Sequence, residues 1–120
     1  MIIDTSAIIA ILGGAPAAAH FAQMIEMDPA PRIGAPALLE ASMVLTRWFG
    51  DGAEAALDAF VRESAAEIVA FDLPQLRAAQ AAYLQYGKGR HPAGLNFGDC
   101  MSYALAQVCD EELLFKGQDF

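Results

Sequence analysis

Four short strand-like runs, separated by longer stretches of helical character, constrain this chain more than any other feature. They are Met1-Ile2-Ile3, Arg32 to Gly34, Ile68-Val69-Ala70-Phe71 and Leu113-Leu114-Phe115. Short strands separated by helices cannot pair as tight hairpins. They return to the same sheet through crossovers, which are right-handed and leave the strands parallel. The expected fold class is therefore α/β, with a central parallel β-sheet of four or five strands flanked by α-helices. A length of 120 residues fits one such domain, spanning 1–120, and buries roughly 65% of the unfolded surface.

The segments between the runs carry their own start and stop signals. Thr5 and Ser6 offer cap oxygens to an apolar helix from Ala7 to Leu12, which Gly13-Gly14 ends. Pro16 suits the first turn of a helix reaching about Asp28, and Pro29 and Pro31 stop it. From Pro36 to about Phe49 the chain is apolar almost all round, which predicts a helix buried on more than one face. Gly50-Asp51-Gly52 breaks it, and an Ala-rich amphipathic helix follows from Ala53 to Ala65. Pro74 to Tyr86 reads as another helix, 87–94 as a loop, and Asn96 as the cap of a helix from Gly98 to Cys109.

Composition removes several classes of function. Apolar residues make up 56% of the chain and charged residues 18%, so disorder is excluded. A net charge of −8 argues against a protein that wraps duplex DNA, which must neutralise many phosphates. Cys100 and Cys109 lie about half a helical turn out of phase, which suits two reduced thiols rather than a local disulfide. No CxxC or Cys/His zinc spacing is present. Asp4 follows the first apolar run with no basic segment before it, and charges or glycines interrupt every candidate membrane span. A soluble, cytoplasmic protein is expected.

In parallel α/β sheets ligands bind beyond the carboxyl ends of the strands, and that rule selects four acids. Asp4 follows the first strand directly. It could simply cap the next helix, although Thr5 and Ser6 could do the same. Glu40 lies one turn into the helix after the second strand, among apolar neighbours. Burying it alone is costly, and Arg47 is an available partner for a salt bridge. Asp99 has the spacing from Asn96 of a capping box. Asp119 follows the fourth strand and, taken singly, reads as a solvated loop residue. Taken together, four carboxylates near one edge of a sheet repel one another, and a divalent cation is their natural partner. Oxygen-only ligands suit Mg²⁺ or Mn²⁺ rather than zinc, and such clusters serve phosphodiester hydrolysis.

The ordered set Met1 to Ala7, Glu40, Asn96-Phe97-Gly98-Asp99 and Lys116 to Phe120 resembles the PIN-domain ribonucleases, above all the VapC-type toxins of bacterial toxin–antitoxin pairs. The stretch from Tyr86 to Cys100 is characteristic of one branch of them, and the resemblance covers the chain in order. It implies a PIN-like fold and a Mg²⁺- or Mn²⁺-dependent endoribonuclease, neutralised by a cognate VapB-type antitoxin. Asp4, Glu40, Asp99 and Asp119 would be the acidic quartet. Asp4 and Asp99 would be the principal ligands, with Glu40 ligating or orienting water and Asp119 completing the site. Ser6 would be the small hydroxyl residue beside the first acid. Transfer RNA is a frequent target in the family, homodimers are common, and a short tail usually continues past the fourth acid, beyond where this chain stops.

Lys88, Arg90 and His91 cluster in the loop before Asp99, and Lys116 sits near Asp119. They are either ordinary solvated residues or guides for an RNA backbone. Nothing in the Pro-bounded loop points to His91 as a general base. Trp48 and Phe49 are core residues or, as the resemblance suggests, part of an antitoxin groove. Two other functions fit the fold class. A non-catalytic binding module would retain the architecture alone. A phospho-acceptor receiver domain would use Asp4, Asp72 and Lys116, but it lacks an acidic pair at the first strand and leaves Glu40 and Asp99 unexplained.

Overall fold

The computed structural model describes residues 1–117. Its elements run β1 (Ile2–Ile3), α1 (Thr5–Leu12), α2 (Ala18–Met27), β2 (Arg32–Gly34) and α3 (Ala35–Phe49). A single tight turn at Gly50–Gly52 leads into α4 (Ala53–Ser64), then β3 (Glu67–Val69), α5 (Leu73–Tyr86), α6 (Phe97–Cys109) and β4 (Leu113–Leu114). The four strands form one sheet in the order β3-β2-β1-β4, and every pairing is parallel. Ile2 stands opposite Arg32 on one side and Leu113 on the other, which makes β1 a central strand.

Strand alternation sends neighbouring side chains of β1 to opposite faces. Ile3 joins Ile8, Phe21, Ile25, Ile33, Ala41, Leu45 and Leu57 in the main core beneath α1 to α4. Ile2 packs with Leu105 and Ala106 of α6 on the other face. A third cluster of Ala79, Ala82, Leu95, Cys100 and Ala104 joins α5 to α6. Helices thus cover both faces of the sheet, as the sequence pattern predicts.

Several details differ from expectation. Helix α1 begins at Thr5 because Asp4, not Thr5 or Ser6, is its cap. Pro16 lies in the turn before α2, which starts at Ala18. Strand β3 begins at Glu67 and ends at Val69. It replaces the expected run of Ile68 to Phe71, lies at the edge of the sheet, and leaves Ile68 50% exposed. Helix α3 fully buries only one stripe, Ala37, Ala41 and Leu45, at i, i+4 spacing. Its bulkier apolar residues Leu39, Met43, Trp48 and Phe49 are exposed, so Trp48 and Phe49 are not core residues. No helix among the described residues is long and apolar enough to cross a membrane.

Candidate metal centre

The carboxyl edge of the sheet is organised around Asp4. Its backbone N–H donates to the Leu114 carbonyl at 2.9 Å, carrying the β1–β4 pairing one residue past the strand. Its carboxylate oxygen Oδ2 accepts from the Ser6 N–H at 3.0 Å and from the Ser6 hydroxyl at 2.6 Å. The same hydroxyl accepts the Lys116 N–H at 2.9 Å, so Ser6 ties the start of α1 to the segment leaving β4. Thr5 donates its hydroxyl to the Ala37 carbonyl at 2.9 Å, which fixes α1 against the first turn of α3, one turn before Glu40. Asp4 is only 4% exposed, and no ion pair reaches it among the described residues. The two Ser6 donors and the amino end of α1 offset part of the cost of burying this carboxylate, but among the described residues no counter-charge does.

Glu40 projects from α3 toward the first turn of α6 and is half-buried. Its carboxylate lies against the backbone of Gly98, close enough that a Cβ there would stand 2.6 Å from Oε1 and 2.7 Å from Oε2. The expected alternative of a salt bridge to Arg47 is absent among the described residues. Asp99 adjoins Gly98. It closes a full capping box, with its N–H donating to Asn96 Oδ1 at 2.9 Å and its Oδ2 accepting the Asn96 N–H at 3.1 Å. The capping readings of Asp4 and Asp99 are therefore both correct. They do not exclude ligation, because a carboxylate offers about four lone-pair sites and a cap uses one or two.

Three of the four acids thus sit on the elements that meet at this edge: Asp4 at the end of β1, Glu40 in α3 after β2, and Asp99 in α6. The fourth, Asp119, lies outside the described residues. Among the described residues no group of three Asp, Glu, His or Cys side chains stands close enough to hold a metal. The donor set nevertheless suits a hard cation, since it consists of carboxylate and hydroxyl oxygens and includes a buried carboxylate without a counter-charge.

The basic loop is more committed than its sequence suggests. Arg90 Nε donates to the Leu84 carbonyl at 3.1 Å near the end of α5. His91 stacks edge-on against Tyr86 with ring centroids 5.2 Å apart, and its Nδ1 accepts the Ala93 N–H at 3.0 Å. Lys88 and Lys116 are exposed. Both cysteines are free; burial, and then the neighbouring Asp99 carboxylate, push the Cys100 thiol above its ordinary value, which keeps it protonated. Asp72 caps α5, accepting the Gln75 N–H at 3.1 Å. It follows the edge strand β3, which β2 separates from β1. Asp72 thus leaves the sheet from a strand that does not adjoin β1, which disfavours the receiver-domain reading.

Two residues of this edge have roles that the sequence pattern does not assign. Thr5 reads in sequence as a cap acceptor but donates to the Ala37 carbonyl and braces α3. Gly98 was part of a motif, yet its contact with Glu40 was not foreseen. A glycine inside the first turn of a helix is locally unfavourable, and that was the available signal of a close approach.

Comparison with known proteins agrees with this architecture. The PIN domain family model matches residues 1–120. The chain belongs to the PIN-domain family and, within it, to the VapC-type ribonucleases. It is 44% identical over 120 residues to a VapC ribonuclease of Mycobacterium bovis, covering all of this chain and 92% of that protein. It is also 44% identical to a ribonuclease VapC of Mycolicibacterium smegmatis, covering 93% of that protein. Among solved structures, VapC20 of Mycobacterium tuberculosis, a sarcin–ricin-loop-cleaving toxin, superposes with a TM-score of 0.75 at 18% identity. The match covers 98% of this chain and 91% of that one, and at this identity it speaks for the fold.

Proposed function

We propose that this protein is a Mg²⁺- or Mn²⁺-dependent endoribonuclease toxin that hydrolyses RNA phosphodiester bonds and is held inactive by a VapB-type antitoxin. The observation that carries the reading is Asp4, a buried carboxylate with no ion pair among the described residues, at the carboxyl end of a central strand. Asp4, Glu40, Asp99 and Asp119 would hold the cation. When bound, it activates water and offsets charge on the scissile phosphate. The protein's own share is positional. Ser6 orients Asp4 and anchors the segment leading to Asp119, and the capping box fixes Asp99 at the start of α6. Lys88 and Lys116 attract the RNA backbone, with Arg90 and His91 shaping the loop that carries Lys88. Family membership supports the RNA substrate and the antitoxin. The exposed Trp48 and Phe49 at the end of α3 give the antitoxin an apolar surface, and a homodimer agrees with the further exposed apolar residues on α5 and α6.

The test is cleavage of a mixed transfer and ribosomal RNA pool by the purified chain, with Mg²⁺ or Mn²⁺ against EDTA, and with Asp99→Asn beside the parent. Cutting that needs metal and disappears in Asp99→Asn is expected. Equal cutting by both proteins would identify a contaminating nuclease and remove the assignment. No cutting by either would favour a binding module that keeps the fold without the chemistry.

A further inference from the structure

Gly98 has no Cβ where one would collide with both oxygens of Glu40. Gly98 adopts ordinary helical backbone in the first turn of α6, so no left-handed conformation asks for glycine there, and the three atoms nearest to where its Cβ would stand all belong to the Glu40 carboxylate. Alanine is better than glycine inside a helix, so local stability argues for replacing it. The residue in the way is the far end of a flexible side chain, which can move aside without disturbing the core. The cost of a side chain at this position therefore falls on where the Glu40 carboxylate sits rather than on folding.

We infer that Gly98 is a positioning residue, whose missing side chain lets the Glu40 carboxylate lie against the first turn of α6, next in the chain to Asp99, which the proposed cation site also uses. This rests on the metal-dependent reading given above. Gly98 touches neither metal nor RNA and acts through Glu40 alone. A group that orients a ligand without binding the ion itself commonly changes metal affinity by about 10–100-fold.

The experiment is Mn²⁺ binding to the full chain, followed by electron paramagnetic resonance of the free ion. It compares the parent, Gly98→Ala, Glu40→Ala, the double variant and Asp4→Asn, with thermal melting of each metal-free protein. Gly98→Ala is expected to weaken Mn²⁺ binding about tenfold while melting no lower than the parent. Gly98→Ser, which carries the same Cβ, should lose affinity in the same way. In the Glu40→Ala background, Gly98→Ala should add no further loss, because the side chain it displaces is gone. Undiminished binding by Gly98→Ala, or an equal loss with and without Glu40, would overturn the role of Gly98. Parent-like binding by both Asp4→Asn and Glu40→Ala would overturn the metal site itself, and the inference with it.

Discussion

The two ends of this sheet treat carboxylates in opposite ways. At the amino end, acids meet cations. The Met1 ammonium lies 2.8 Å from Asp28 and 3.5 Å from Glu111, while Arg32 reaches Glu67 at 3.5 Å and Glu111 at 3.6 Å. At the carboxyl end, Asp4 is more deeply buried than any of these acids, yet among the described residues its carboxylate accepts from the hydroxyl and amide of Ser6 and makes no ion pair. Glu40 has no ion pair there either among the described residues. Paired charges at one end are what structural stability requires. Unpaired charges at the other are what a cation-binding edge requires, and they lower stability until the cation arrives.

Exchanging acids at the two ends gives the largest contrast. Asp4→Asn keeps a side-chain oxygen for the cap but removes the charge. It should reduce metal-dependent RNA cleavage by more than about 100-fold, beyond the usual effect of outer-shell residues. Asp28→Asn should leave cleavage unchanged in the same assay. Ser6→Ala removes the hydroxyl that joins Asp4 to Lys116, and cleavage should fall about tenfold with a stability loss of about 1 kcal/mol in urea unfolding.

Asp72 sharpens the comparison, because it resembles Asp4 locally and differs only in its place. Both acids follow a strand and cap a helix, but Asp72 is exposed beyond an edge strand. Asp72→Ala should cost about 1 kcal/mol of stability, as loss of a cap does, with Mn²⁺ binding unaltered. The smallest effect concerns acid. The N-terminal ammonium, aided by the Ala30 N–H, holds the Asp28 carboxyl below its ordinary value of 3.8, against the opposing effect of burial. A depressed folded value means that its contribution is complete above the unfolded value and is lost as pH falls through the folded one. Stability of the parent should therefore decline more steeply below about pH 4 than that of Asp28→Asn, read from melting temperature against pH.

Much of this contrast was legible before any coordinates, because short range order writes it. β1 ending at Asp4, the Asn96–Asp99 box and the breakers around each helix depend on neighbours only a few residues away. Long-range facts were less visible. In α3 the apolar pattern predicts burial on more than one face, but only the Ala37–Ala41–Leu45 stripe is fully buried, and Trp48 and Phe49 are exposed. Strand order, which parts Asp72 from Asp4, is not encoded by any one segment. The Glu40–Gly98 contact joins residues 58 positions apart, and only packing of α3 against α6 brings them together.

The most direct test of the central claim is thermal unfolding of the metal-free parent and of Asp4→Asn, each repeated with Mn²⁺. If Asp4 is a buried charge awaiting a cation, the metal-free variant melts at or above the parent. Mn²⁺ then raises the melting temperature of the parent and not that of the variant. A variant that melts below the parent and gains as much from Mn²⁺ would contradict the account, making Asp4 a helix cap and nothing more.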